Sequence, residues 1–125
     1  DGNGKLRLTL FDANVDTSEI ATGDTTLSLG QWVFVVATYD GTETAPVVTL
    51  YLNAVADNNG STVETGAYVA MEDTATPLTI GCSGVTATPV AEFHGRIAMP
   101  FVTGKAFSQA EVTQLYELTS VLMGV

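Results

Sequence analysis

One cysteine, one histidine, one tryptophan and four basic residues are all that this 125-residue chain holds of those types. Each scarcity excludes something. A single thiol, Cys82, forbids an internal disulfide and a cysteine metal cluster, and reads as a small packed hydrophobe. Lys5, Arg7, Arg96 and Lys105 stand against 14 acidic residues, for a formal charge of −10. Nothing in such a chain could replace the counterions of a phosphate backbone, so nucleic acid is excluded as a partner. The same charge is repelled by an anionic membrane surface. No run of about 18 apolar residues is present, so no membrane insertion is expected. There is no signal-like start and no initiator methionine. The opening Asp1-Gly2-Asn3-Gly4 suits a processed product, a domain excerpt or the ordered part of something longer. His94 is the lone histidine and no Gly-x-Ser-x-Gly elbow accompanies it, so the parts for nucleophilic catalysis are missing. "DGNG" and "GCSG" lack the lysine and helix of a phosphate loop.

What is present is apolar and periodic. Hydrophobic residues make up 46% and charged ones 14%, which suits one domain with a real core rather than a disordered chain. The dominant period is two. "KLRLTLF" sets Leu6, Leu8 and Leu10 against Lys5, Arg7 and Thr9, the pattern of a strand with one wet face. "WVFVVATY", Trp32 to Tyr39, is apolar on both faces and predicts a central, doubly covered core strand. "VVTLYLN", Val47 to Asn53, alternates again, with Val48, Leu50 and Leu52 on one side. Two further strands are expected: "PLTIG", Pro77 to Gly81, and "FHGRIAMPFV", Phe93 to Val102, whose Gly95 and Pro100 imply a bulge or edge. In the latter, alternation puts His94 on the wetter face. The connections are turn material, including Asp40-Gly41 and Asn59-Gly60. Strands at this spacing predict an all-β fold, an antiparallel β-sandwich.

One helix is expected, at the end of the chain. In "FSQAEVTQLYELTSVLMG", Ser108 and Glu111 form a capping box, and Phe107 and Val112 occupy the staple positions around it. Val112, Leu115, Tyr116, Leu122 and Met123 share one stripe that should pack on the sheets. The final "VLMGV" is very apolar for a chain end.

The pieces "LGQWVFVVATYDG", "VVTLYLNA", "PLTIGC" and "EFHGRIAMPFVTGKAFSQAEVTQLYEL", in that order and spacing, resemble the concanavalin A-like lectin/glucanase superfamily in its laminin G-like (LamG, pentraxin-like) branch. The match spans roughly Lys5 to Leu118. It implies a jelly-roll sandwich with one short C-terminal helix, a single domain over residues 1–125 that lacks the family's first strands. In that reading the edge beside Lys5 to Phe11 is open to another chain segment. Ala54 departs from the family, which usually has Gly after the Asn or Asp.

The resemblance also raises three chemistries. Calcium binds some laminin G-like domains at the sandwich rim, and hard cations take clustered loop oxygens. Asp40, Asp57 and Asp73 are the candidate ligands, with Asn58, Asn59 and Glu72 near them in sequence, although turn geometry already accounts for Asp40. An EF-hand over residues 1–12 fails, because Lys5 takes a ligand position and Leu6 replaces the required Gly. Glycan recognition would use exposed aromatics, for which Tyr39, Tyr51 and Tyr68 are the candidates; each also reads as a packing tyrosine. Asn59-Gly60-Ser61 matches a glycosylation acceptor that turn geometry alone explains. Glucan hydrolysis needs two carboxylates from one strand, and no Glu-x-Asp-x-x-Glu pattern occurs. The expectation is therefore a non-catalytic structural or adhesive module. It would belong to a larger assembly, such as a virion decoration, a fibre, a capsid-associated protein or a bacterial surface protein. Its site would be extracellular or on a particle surface. Its partners would be proteins or further copies of itself, and glycans are a further candidate. A calcium-dependent lectin-like module is the alternative.

Overall fold

The computed structural model describes residues 2–42, 47–58, 62–72, 75, 77–83 and 91–124. Two units are present: residues 1–72 with 105–125, and residues 73–104. The first carries all the regular structure found among the described residues. Its strands are β1 (Lys5–Asp12), β2 (Thr17–Thr26), β3 (Val35–Tyr39), β4 (Val48–Leu52), β5 (Val55–Ala56) and β6 (Thr62–Thr65), followed by helix α1 (Gln109–Met123). They form two antiparallel sheets, ordered β1-β2-β6 and β3-β4-β5.

The leucine alternation in β1 works as expected, with Leu10 buried while Arg7 and Thr9 face out. Leu10 and Ala21 from the first sheet meet Val48 and Leu50 from the second, together with Tyr68, in one buried cluster. Each fully buried aliphatic side chain of this kind contributes about 1.5–3 kcal/mol of apolar transfer. β2 is the strand that apolar alternation does not announce. Its inward positions are Glu19, Ala21 and Gly23, which are small or polar, so its period-two signal is carried by burial and not by hydrophobicity. β2 also lies between β1 and Trp32, so β1 is not the strand next before the tryptophan.

Three expectations need correction. β3 starts at Val35, leaving Trp32 half-buried in the approach to the strand. Among the described residues β3 is also an edge strand, paired with β4 alone, and Val35 is 45% exposed. Its outer backbone edge and one of its faces are therefore not covered as a central strand's would be. Finally, neither Pro77–Gly81 nor Phe93–Val102 forms a strand. Within the described part of the second unit, Phe93 N–H bonds the Gly81 carbonyl at 2.7 Å, joining these two segments without a ladder. Gly81, Gly95, Pro77 and Pro100 in these segments leave too few consecutive residues for a ladder.

β4 and β5 are joined by Asn53-Ala54, both at positive φ (48° and 64°). This is the backbone of a two-residue hairpin turn, which favours Asn then Gly. Ala54 sits there at a steric cost because its methyl group is buried with Val36, Tyr51 and Val112. Asn53 also continues the β3–β4 ladder, its N–H donating to the Phe34 carbonyl (2.9 Å) and its Oδ1 accepting from the Phe34 N–H (3.0 Å).

Helix α1 begins at the capping box. Ser108 N–H donates to Glu111 Oε2 at 2.9 Å, and the Ser108 hydroxyl accepts from the Glu111 N–H. Phe107 and Tyr116 pack around fully buried Val112, and the Tyr116 ring tilts against Phe34 at 5.5 Å. The Gln109 side-chain amide ties the helix to the Ala54 carbonyl at 2.6 Å. Beyond the second turn the expected stripe is covered only in part: Leu122 is 74% exposed while Met123 is half-buried.

The cap supplies a first prediction. Ser108→Ala should cost about 1 kcal/mol in urea unfolding. The Lys105 ammonium, then the Ser108 backbone and hydroxyl, hold the Glu111 carboxyl down from 4.5 to about 2. A carboxyl lowered on folding stabilises when ionised. Its contribution is complete above pH 4.5 and disappears as pH falls toward 2. Glu111→Gln should flatten that part of the acid-unfolding profile; an unchanged profile would show that the capping carboxylate is not what titrates there.

Candidate functional site

Asp40 follows β3, which ends at Tyr39. Its Oδ1 accepts from Thr42 N–H (3.0 Å), Thr42 Oγ1 (2.8 Å) and Val47 N–H (3.1 Å). The Thr42 backbone above all, with its hydroxyl and Val47, outweighs partial desolvation and lowers the Asp40 carboxyl below its ordinary value. The carboxylate spans the loop and does the work of a turn residue. Tyr39 closes the same turn, its hydroxyl donating to the Thr42 carbonyl at 2.8 Å.

Asp57 and Asn58 follow β5 and face inward. The Asp57 carboxylate accepts from Thr25 N–H at 3.2 Å, and its backbone carbonyl accepts from Asp24 N–H at 2.5 Å, linking the end of β2 to the second sheet. A Cβ on Gly23 would overlap this carboxylate, so any larger residue there would have to displace the Asp57 side chain from the Thr25 N–H. Asn58, 1% exposed, accepts from the Leu50 N–H (3.0 Å) and donates to the Val48 carbonyl (2.9 Å). The structure thus does not bring Asp40 and Asp57 into one oxygen cage, and Asp73 lies outside the described residues. Among the described residues no three His, Cys, Asp or Glu side chains converge as metal ligands would.

The tyrosines expected as ligand platforms are packing residues. Tyr51 and Tyr68 are 6% and 4% exposed, inside the two core clusters, because both point to the covered faces of their segments. Burial first, then the neighbouring Tyr39, pushes the Tyr68 hydroxyl well above its ordinary value. Tyr39 is half-buried with its hydroxyl engaged. His94 is exposed and Cys82 half-buried.

An arrangement that sequence reasoning missed joins Asp12 and Glu72. Asp12, 2% exposed, accepts from Asn14 and Val15 N–H through Oδ1 (3.1 and 3.3 Å) and from Val69 and Ala70 N–H through Oδ2 (3.1 and 3.3 Å). Glu72 accepts from Ala13 N–H (2.8 Å) and from the Asn14 side-chain amide (2.7 Å). Together they clasp the β1–β2 turn to the segment after β6. Burial opposes ionisation of Asp12, but Glu72 and the N–H groups of Val69, Ala70 and Val15 together outweigh it and lower the carboxyl. The available signal was Asp at the end of a strand followed by Ala-Asn, a turn-capping pattern. Nothing local pointed to a partner about sixty residues away.

An open groove of about 400 Å³ runs between the end of β2 and the β4–β5 hairpin. Val33, Leu52 and Val55 give it apolar surface, while Asp24 and Asp57 give it carboxylates.

A family model described as the concanavalin A-like lectin/glucanases superfamily (Laminin_G_3) matches residues 1–113. The chain belongs to that superfamily. Among solved structures, this laminin G-like chain is similar to an S-layer domain-containing protein from Clostridium thermocellum, with 20% identity and a TM-score of 0.52. The likeness covers 93% of this chain and 64% of that one, and at this identity it shows a shared fold. A search of the curated proteins finds no match. Among the described residues of this superfamily member, no helix is long and apolar enough to cross a membrane. The Tyr-Asp-Gly turn and the Asn53 hairpin, two of the elements that carry the resemblance, hold the second sheet together.

Proposed function

We propose that this chain is a non-catalytic structural or adhesive module of a surface assembly, its two sheets being the layers of a jelly-roll sandwich and its working contacts being with further copies of itself. The observation that carries the reading is the end of α1. Leu118, Val121 and Leu122 are 71%, 85% and 74% exposed, a run of apolar side chains on a chain of net charge −10. Isolated exposed leucines need no explanation, but a clustered apolar helix end does. Fold likeness to an S-layer domain-containing protein supports an extracellular, cell-surface setting; no finding favours a virion over it.

In this reading the module carries out no reaction and needs no calcium. The Asp12 and Glu72 carboxylates are saturated by N–H donors, and Asp12 is lowered where a general acid would need to be raised. Asp40 and Asp57 spend their oxygens on the backbone.

Size-exclusion chromatography with light scattering tests it. Association should grow with protein concentration and strengthen with salt, since like charges are then screened while the apolar contact remains. Leu122→Glu, on an exposed position, should leave the fold intact and return the chain to monomer. A monomer at every concentration and salt would overturn the reading. Melting in calcium and in EDTA should coincide; a calcium-dependent rise lost in Asp40→Ala would overturn its metal-free part.

A further inference from the structure

The open edges of the two sheets are not protected alike. β1 carries Lys5 and Arg7 with a register break between them, β5 is two residues long, and β6 carries Glu64. Charge, irregularity and shortness are the usual means of keeping an edge from pairing with another chain. β3 has neither charge nor irregularity. Its Val-Val-Ala-Thr-Tyr run is also free of proline, and its register with β4 continues unbroken from Val35 to Tyr39.

The ladder fixes which backbone groups this edge offers. Asn53 N–H bonds the Phe34 carbonyl and Asp40 N–H bonds the Val47 carbonyl, so Phe34 and Asp40 face β4. Residues of an antiparallel strand alternate between facing one neighbour and the other. Val36 and Thr38 therefore also bond β4, while Val35, Ala37 and Tyr39 direct N–H and C=O outward. Among the described residues no strand pairs with that side, and no backbone bond closes on those groups. Val35 is 45% exposed, and Ala37 is exposed as well.

The chemistry of the edge narrows its occupant. A chain of net charge −10 is repelled by its own copies, so a self-contact has to form where charge is absent. β3 is such a place, and Asp40 beside it holds Thr42 and Val47 with its carboxylate. An antiparallel two-fold centred on Ala37 sets Val35 against the partner's Tyr39 and Ala37 against the partner's Ala37. All three outward residues then fall into bonded pairs. Val35 with Tyr39 is a favoured pairing of a β-branched and an aromatic side chain. Asp40 comes opposite the partner's Phe34, so no carboxylate meets another.

We propose that β3 pairs edge to edge with β3 of a second copy, antiparallel about Ala37, so that one sheet runs continuously through both copies. The pairing supplies about six backbone hydrogen bonds but little side-chain burial, so alone it is weak. Copies already joined through their α1 ends present more than one edge, and the weak pairings then act together. The inference rests on the surface-module reading for that strength and adds a second contact to it. Two different two-fold contacts on one subunit extend the assembly into a row.

Amide hydrogen exchange in the parent and in Leu122→Glu, at matched concentration, tests it. In the associated parent, the amides of Val35, Ala37 and Tyr39 should exchange at least about tenfold more slowly than in the Leu122→Glu monomer. Ala37→Lys sets like charges opposite each other across the two-fold and should remove that protection. Ala37→Pro, which gives up only an outward N–H, should do the same, and the amide spectrum of each variant reports its fold. Spin labels on Ala37→Cys and Val35→Cys, each with Cys82→Ser, read the register. Coupling between copies should be strongest at position 37, whereas the two labels at position 35 start from backbones about 14 Å apart. The proposal is overturned if the three amides exchange as fast in the parent as in Leu122→Glu; where the parent still associates, the α1 contact stands without it. It is equally overturned by protection already present in the Leu122→Glu monomer, by both Ala37 variants keeping the protection, or by stronger coupling at position 35 than at 37. Association that survives Leu122→Glu with the three amides protected would support the pairing and remove the α1 contact.

Discussion

Asn58→Ala is expected to cost about 3–5 kcal/mol of folding stability, from an orphaned donor and acceptor plus the cavity left behind. The reason lies in the ladder. Val48, Leu50 and Leu52 direct their backbone groups away from β3, whose bonded partners are the alternate residues of β4. On that side β5 reaches only Leu52 and Tyr51. The Asn58 side chain stands in for the missing strand by bonding both Leu50 N–H and Val48 C=O in a fully buried setting. Chemical denaturation measures the loss, and hydrogen exchange at Leu50 should accelerate with it. Asn58→Asp separates the two bonds. An ionised Asp keeps the acceptor for Leu50 but faces the Val48 carbonyl without a proton and buries a charge. It should be at least as damaging at pH 7 and should regain stability in acid, as the protonated carboxyl donates to Val48. A variant that loses little at pH 7 would show that the Asn58 bonds are not what secures β4.

Asp12→Ala should lower the melting temperature by at least roughly 10 °C, since a shift of that size corresponds to losing more than one buried polar partner in a domain of this length. Four backbone N–H groups, in two segments more than fifty positions apart, share the Asp12 carboxylate. Alanine leaves them without an acceptor and lets the β1–β2 turn part from Val69 and Ala70. Asp12→Asn keeps one accepting oxygen and turns an N–H₂ toward the other pair of donors, so an intermediate loss is expected. The pH dependence has a defined sign. The folded value is lower than the ordinary 3.8, so the ionised form stabilises the fold. That contribution is complete above pH 3.8 and is lost as pH falls below it. Acid unfolding of the parent should be steepest there, and the Asp12→Asn profile should be flatter. If the two profiles superimpose, Asp12 is not the clasp.

Both residues show why ligand candidates are hard to read from a sequence like this one. Asp12, Asp40, Asp57 and Asn58 have the oxygen chemistry that a hard cation wants, and they fall in turns, where cation sites occur. Backbone N–H groups compete for the same oxygens, and here they have them. Which of the two partners an oxygen finds depends on chain segments far away in sequence. Tyr51 and Tyr68 illustrate the same point for aromatics. Tyr51 stands on the face of β4 opposite Leu50 and Leu52, and Val112 of α1 covers that face; Tyr68 lies beyond β6, outside any strand, and packs with Leu10, Ala21, Val48 and Leu50, so neither burial follows from local alternation.

The sequence by itself determined the class of the protein. Leucine alternation in β1, the β4 run and the α1 capping box are local patterns, and local patterns survive because they are enforced within a few residues. Ordered along the chain, they were enough to reach the superfamily. Tertiary structure alone decided the roles of the polar groups: Asn58 as a surrogate strand, Asp12 as a clasp, Gly23 as the gap that admits Asp57. It also decided that β3 is an edge among the described residues and that Leu118, Val121 and Leu122 of α1 are exposed. Those outcomes depend on which distant backbone groups are left without partners once the sheets pair, and no window of sequence contains that information.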